Sequence, residues 1–253
     1  MNSIVFITGA TSGIGEACAR KFAANNHSII ITGRREERLK KLAEELRKEF
    51  GVEVHSLSFD VRNLQEVQQV FTSLPEDWKT IDILVNNAGL AAGLSPVQTG
   101  VVDDWERMID TNVKGLLYVS RTILPGMIAR GKGHVINIGS VAGREVYPNG
   151  NVYCATKFAV DALTKGIRMD TVEHGIKVTQ IAPGAVETEF SMVRFRGDAE
   201  RAAGVYKGFH PLLAEDIADA VVYVTSLPSH VNINDMVIMP TAQASATVLN
   251  RKS

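Results

Sequence analysis

The chain has 253 residues, 27 Lys and Arg against 28 Asp and Glu, a formal net charge of −1 and a hydrophobic fraction of 45%. That length suits one large α/β domain or two small ones, and the apolar fraction is enough for a sizeable core. Near-zero net charge excludes a global field that would draw in nucleic acid or anionic lipid, and no apolar run nears the roughly 18 residues that span a bilayer.

The first apolar run, residues 4–8, reads as a strand. Gly9, Gly13 and Gly15 follow it, and 13–25 reads as a helix. Strand, glycine-rich turn and helix is the context in which backbone N–H groups approach a pyrophosphate at a helix N-terminus. A second strand at 28–32 ends in Thr32, Gly33, Arg34 and Arg35. An acid at that point would hold a ribose 2′-hydroxyl; here there is none, and two arginines can pair with a 2′-phosphate. Arg34 and Arg35 also open a charged helix face over 34–47, and both roles are compatible.

A helix at 36–50 leads to a strand at 52–58, then Asp60 and Val61, and a helix at 64–74 with a capping-box-like start at Asn63 and Glu66. Strands follow at 83–86, 134–138, 177–181 and 236–239, with helices at 102–130, 152–174 and 214–227 between and after them. Asn149 and Asn151 are candidate N-caps for the 152–174 helix, and Gly175 is its stop. The alternation predicts a single α/β domain over 1–253: a Rossmann-like, doubly wound, seven-stranded parallel sheet covered by helices on both faces. There is no linker and no internal repeat. Residues 185–213 are irregular and carry Phe190, Met192, Phe195, Tyr206 and Phe209, the composition of a functional lid. The tail at 240–253 is too short and polar for a core of its own. Cys18 and Cys154 read as buried thiols in a reducing compartment, with no metal-ligand spacing around them. The first strand begins directly, with no leader pattern, so a cytoplasmic protein is expected.

The chemistry concentrates at Ser140, Tyr153 and Lys157. Tyr153 and Lys157 are four apart, so on a helix they share one face. An ammonium about 4 Å from a phenol, at an effective dielectric near 20, interacts by roughly 4 kcal/mol. Lys157 is therefore expected to lower the Tyr153 pKa and fit it for proton transfer with an alcohol near neutral pH.

These motifs, in this order, resemble the short-chain dehydrogenase/reductase family over essentially the whole chain: T-G-x-x-x-G-x-G at 8–15, N-N-A-G at 86–89, Asn112 in T-N-V-K-G, Ser140, Y-x-x-x-K at Tyr153 and Lys157, and Pro183-Gly184. Within it, the stretch 190–209 and the ending I-M-P-T-A-Q at 238–243 are most similar to NADP-dependent 3-hydroxy acid dehydrogenases. The resemblance implies NADP as cofactor. It implies catalysis by Asn112, Ser140, Tyr153 and Lys157, with Asn112 ordering a water between Lys157 and solvent. It implies cofactor contacts from Gly9, Thr11, Ser12, Gly13, Ile14, Gly15, Arg34, Arg35, Asp60, Val61, Asn86, Asn87, Ala88, Gly89, Pro183, Gly184, Val186 and Thr188, besides Tyr153 and Lys157. Asp60 also reads as a plain helix N-terminal acid. The implied substrate is a small 3-hydroxy acid such as serine, allo-threonine or 3-hydroxypropionate, and the implied assembly is a homotetramer. An arginine would meet the carboxylate: Arg144 and Arg194 are the candidates, with Tyr147 and Asn151 beside them. The same core with another lid could reduce a ketoacyl thioester, a sugar or a bulkier ketone. A non-catalytic dinucleotide sensor is the reading from another class, and it has no need of the full proton-handling set.

Overall fold

Runs of Ile and Val with no alternation mark strands that are covered on both faces. Ile29, Ile30 and Ile31 of one such strand are fully buried. The computed structural model describes residues 3–252 and places these runs in one parallel sheet. Its strands are β1 (Ile4–Ile7), β2 (Ser28–Gly33), β3 (Val54–Ser58), β4 (Ile81–Asn86), β5 (Gly133–Ile138), β6 (Ile176–Pro183) and β7 (Asp235–Ile238). Their order is β3-β2-β1-β4-β5-β6-β7, and every pairing is parallel. The order reverses direction between β1 and β4, and the strand C-termini on either side of that point open a crevice.

Successive side chains of a strand point to opposite faces. Val5 and Ile7 join Ile29 and Ile31 under α1 (Gly13–Ala24), α2 (Glu36–Phe50) and α9 (Ala214–Ser226). Phe6, Ile30 and Leu84 face the other way, under α3 (Leu64–Ser73), α5 (Leu116–Arg130) and α6 (Asn151–Thr171). The doubly wound, single-domain sheet is as expected from the alternation.

Three local expectations change. The helix expected over 102–130 is α4 (Val102–Ile109), a wide π turn at Asp110–Gly115, and α5. The turn falls where Gly115 meets Val61: a Cβ on Gly115 would lie 2.8 Å from a Val61 methyl. The α6 helix is capped by Gly150 rather than by an asparagine side chain, because Asn149 is in the left-handed region (φ 62°) and Asn151 is already inside the helix. The irregular 185–213 stretch contains two short helices, α7 (Phe190–Arg194) and α8 (Ala199–Gly204). Asn63 caps α3 as expected, accepting from the backbone N–H of Gln65 and Glu66.

Candidate active site

The glycine-rich turn is fastened to the end of β4. Thr8 Oγ1 accepts from the N–H of Asn87 (3.0 Å) and Ala88 (2.9 Å), and Asn87 Nδ2 donates to the carbonyls of Thr8 and Gly9. Gly9 has φ 66°, and a Cβ there would stand 2.9 Å from Ala88 Cα, so the turn needs glycine twice over. Above it lies a cavity of about 690 Å³, within the size range of small-molecule sites. Ser12 precedes α1 without capping it by its side chain, so the first N–H groups of the helix are left for a ligand at the cavity wall formed by Ser12, Gly13 and Ile14. An uncapped helix N-terminus on a glycine turn suits a pyrophosphate. Gly15 does not face this cavity. A Cβ there would lie 2.5 Å from Gly9 O, so it is the glycine that lets α1 pack onto the turn.

The two expected arginines are in different states. Arg34 is half exposed, and its charged neighbour is Asp60 at 4.0 Å. Asp60 is itself held by Arg62, at 2.6 Å in one contact. Arg35 is committed: its Nε donates to Thr11 Oγ1, its Nη2 to Thr11 and Ser12 hydroxyls (2.8 and 2.7 Å), and its Nη1 to Glu189 (2.8 Å). Arg38 holds the same carboxylate at 2.8 and 2.9 Å. The Arg35 hydrogen bond, and then that of Arg38, overcome partial burial and pull Glu189 down to about 2. Neither Glu189 nor Arg38 stood out in the sequence, because nothing local signals a pairing across some 150 residues. Val61, Gly89, Pro183, Gly184, Val186 and Thr188 all reach the cavity wall.

The end of β5 carries Ser140 into a tight 3-10 turn at Val141–Gly143, where its Oγ accepts from Ala142 N–H (3.1 Å). A Cβ on Gly143 would be 2.6 Å from Lys157 O, so a glycine is what brings this turn against α6. Tyr153 and Lys157 share the inner face of α6, and both are buried. Lys157 Nζ donates to Ile138 O (2.9 Å) and stands 6.0 Å from the centre of the Tyr153 ring. Here the sequence expectation is corrected. Burial pushes the Tyr153 phenol above its ordinary value, Tyr147 adds to this, and the opposing hydrogen bond to Ser140 and the Arg194 charge are smaller. Burial also lowers Lys157 to about 8. The dry site drives both groups toward their neutral forms, and the ammonium is turned to a backbone carbonyl rather than to the phenol oxygen.

Asn112 lies in the π turn, beneath the cavity rather than on its wall. Its Oδ1 accepts from Leu90 N–H, and its Nδ2 donates to Leu90 O and to Thr156 Oγ1, at 2.8, 2.8 and 3.0 Å. The side chain ties the loop after β4 to α6. Gly89 lies between it and the lysine: a Cβ on Gly89 would be 3.3 Å from Asn112 Oδ1 and 3.7 Å from Lys157 Nζ.

At the far end, Arg194 donates to Tyr147 Oη (3.0 Å) and to Gly93 O (3.3 Å), and its guanidinium carbon is 5.7 Å from the Tyr153 ring centre. Phe190 packs edge-on against Tyr153 at 5.6 Å. The two other candidates for the substrate end are elsewhere. Arg144 pairs with Asp235 and with Asp161 (3.3 Å), two carboxylates from β7 and α6 that turn it away from the cavity. Asn151 donates to Ser95 O (2.9 Å) and borders a separate small cavity of about 30 Å³. The tail is the element the sequence reading missed: Gln243, Ala246, Leu249 and Arg251 reach the main cavity wall.

A family model for short chain dehydrogenases matches residues 3–199. The chain belongs to the short-chain dehydrogenase family. It is similar to the NADP-dependent 3-hydroxy acid dehydrogenase YdfG of Salmonella typhimurium, with 50% identity over 96% of this chain and 97% of that one. It is similar to sulfoacetaldehyde reductase 2 of Chromohalobacter salexigens, with 48% identity over 99% of this chain and 100% of that one. Among solved structures, the closed form of a serine dehydrogenase complexed with NADP+ has a TM-score of 0.92 at 47% identity, over 99% of this chain and 100% of that one. This short-chain dehydrogenase has no helix, among its described residues, long and apolar enough to cross a membrane. No cluster of three or more His, Cys, Asp or Glu among those residues has the geometry to hold a metal.

Proposed function

We propose that the protein is an NADP-dependent dehydrogenase of small 3-hydroxy acids and β-hydroxy amino acids, such as serine, allo-threonine and 3-hydroxypropionate. The observation that carries this is the position of Arg194: a guanidinium on the cavity wall, 5.7 Å from the Tyr153 ring. A fork of N–H donors at that place fixes a carboxylate and so fixes the carbinol carbon a short distance away. The names of the relatives in this family agree with that chemistry.

When bound, the dinucleotide accepts or supplies the hydride. Gly9, Ser12, Gly13 and Ile14 would hold its pyrophosphate, and Arg34 its 2′-phosphate. As the neutral phenol, Tyr153 Oη gives its proton to a carbonyl oxygen in reduction; in oxidation it must first release that proton, and as the phenolate it takes the proton of the substrate hydroxyl. Ser140 Oγ, on the same cavity wall as Tyr153, orients the substrate oxygen. Lys157, held on Ile138 O, fixes the cofactor side of Tyr153. Asn112 keeps the loop after β4 and α6 in register, so that Gly89 and Lys157 stay on one wall. The excursion at 185–213 serves as the lid, with Phe190 excluding water from Tyr153.

A second reading is a short sulfonated aldehyde, favoured by the end-to-end match with the sulfoacetaldehyde reductase. Its anionic end would meet the same arginine. One panel separates the readings: 3-hydroxy acids, sulfoacetaldehyde, an uncharged secondary alcohol, a sugar and a 3-ketoacyl thioester, each with NADP(H) and NAD(H), followed at the nicotinamide absorbance. Highest kcat/KM for a 3-hydroxy acid supports the proposal; faster turnover of neutral alcohols or thioesters refutes it, and an absence of any turnover points to a sensor.

We also propose a cytoplasmic homotetramer. Leu117 on α5 and Phe158 and Met169 on α6 are exposed apolar residues on helices that already bury another face. The two free, buried cysteines suit a reducing compartment. Sedimentation of a stable monomer at micromolar concentration would exclude the tetramer.

A further inference from the structure

We propose that residues 240–252 form a strap that latches the lid through Arg251 and thereby limits the length of the substrate. This deepens, and rests on, the reading of the site as one for short 3-hydroxy acids.

The segment is built as a cross-tie. After Pro240 it folds into a small hairpin, with Gln243 opposite Leu249 and Asn250 N–H donating to Ala242 O (2.8 Å). Its root is fixed at the lid's start, where Gln243 Oε1 accepts from Ala185 N–H (2.8 Å). Its tip is fixed beside the Ser140 turn, where Glu145 accepts from Ala246 N–H (2.9 Å). Its far end is fixed on the lid beyond α8. Arg251 donates to Val205 O (2.9 Å) and to Lys207 O, and Lys252 N–H donates to Gly208 O (2.8 Å).

These carbonyls follow the last turn of α8 and lack helical partners, so they are acceptors that a guanidinium can take. The close approach is allowed by Gly208, which has φ 86° and would place a Cβ 2.7 Å from Lys252 O. Arg251 also lies over the Phe209 ring, 5.3 Å from its centre. The strap therefore spans the cavity from the catalytic turn to the end of the lid, and Ala246, Leu249 and Arg251 form part of its wall. It lies beyond the 3–199 match, in the part of the chain outside the family model.

A wall so placed stops the distal end of a substrate whose carbinol is at Tyr153. Releasing Arg251 frees the lid's returning half and opens that stop. The test uses the full-length protein with NADP bound, and Arg251→Ala, Arg251→Lys and Ala246→Phe. Two quantities are read: hydrogen exchange of the lid amides at 205–210, and the ratio of kcat/KM for 3-hydroxybutyrate to that for 3-hydroxyhexanoate. Arg251→Ala is expected to speed exchange at least tenfold and to lower the ratio at least tenfold, with the KM for NADP within twofold. Arg251→Lys should fall between, and Ala246→Phe should raise the ratio. Exchange and ratio both within twofold of the parent in Arg251→Ala overturn the proposal. Faster exchange with an unchanged ratio reduces the strap to a brace and overturns the length limit. If the parent turns over neither acid, the substrate reading has failed, the length limit for acids falls with it, and the latch is judged by exchange alone.

Discussion

Arg34→Ala should cost the protein its preference for NADP, and the structure says why Arg34 rather than Arg35. The Arg34 side chain is 57% exposed and has Asp60 only at 4.0 Å, a carboxylate already engaged by Arg62. Its donors are free to meet a 2′-phosphate. The Arg35 donors are spent on Thr11, Ser12 and Glu189. A charge-assisted hydrogen bond is worth about 1.5–3 kcal/mol, and half exposure argues for the low end. About 1.5 kcal/mol is roughly a tenfold weaker affinity. NAD, with no 2′-phosphate, should bind within twofold of the parent. Arg35→Ala should instead weaken both cofactors together, because it unfastens the glycine turn from the lid. Nicotinamide fluorescence titration with the two reduced dinucleotides measures this without any assumption about substrate. Equal losses for both in Arg34→Ala, or a selective loss of NADPH binding only in Arg35→Ala, would show that the assignment at this turn is wrong.

Tyr153→Phe should abolish turnover while leaving NADPH affinity within about threefold, since it removes the proton-transfer oxygen and keeps the ring against Phe190; activity within tenfold of the parent removes Tyr153 from that role. Lys157 is lowered from its ordinary value to about 8 by burial, so between about pH 8 and 10.5 the unfolded chain keeps a proton that the folded one has released, and stability rises with pH by about 3 kcal/mol across that window. Lys157→Met should lack the rise and be the more stable protein at pH 7 without ligand, which urea midpoints from pH 7 to 10.5 will check; identical pH profiles contradict it. Glu189→Gln should weaken NADP and NAD binding together, because it loosens the Arg35 and Arg38 contacts that fasten the glycine turn to the lid, and a change in NADP affinity alone counts against that role.

Most of the sheet is legible because its information is local. Buried strands are continuous apolar runs, and Gly9, Pro183 and Gly184 mark where they end in the crevice. The pair Tyr153 and Lys157 is legible for the same reason, since a spacing of four on a helix fixes their common face. What the residues are doing is less so. Burial decides their proton affinities, and burial comes from Phe190 and Tyr147, which arrive from elsewhere in the chain. Arg144 shows the limit most clearly. Its position just past Ser140 suggests the substrate, but Asp161 and Asp235 capture it, and Asp235 is 91 residues away. The π turn left only Gly115 as a trace in the sequence, and of the strap only the P-T-A-Q at its root stood out, because a short polar tail carries no periodicity by which to dock the rest.

The site joins parts of unequal firmness, and this bears on how it can work. Tyr153 and Lys157 stand on a helix and Ser140 just beyond a strand, all packed on the core, so their geometry is set by the global fold. Met192 and Val193 of the lid remain 38% and 43% exposed. The lid is held by hydrogen bonds, Leu212 to Ala185, Glu187 to Leu212, Arg194 to Tyr147 and Gly93, and Arg251 to Val205 and Lys207, and by ion pairs of Glu189 with Arg35 and Arg38. A neutral bond of this kind is worth about 0.5–1.5 kcal/mol net and one from an arginine about 1.5–3 kcal/mol, and opening such a segment costs less than unfolding the whole chain. A lid so held can open to admit a dinucleotide and a substrate while the catalytic groups stay in place. Arg194 belongs to both parts. It ties α7 to the Gly93 loop, and it faces Tyr153. An anionic substrate end that takes up its remaining donors would strengthen the closed lid at the same moment as it sets the hydroxyl beside Tyr153. Selectivity for a short anion and exclusion of water would then come from one contact.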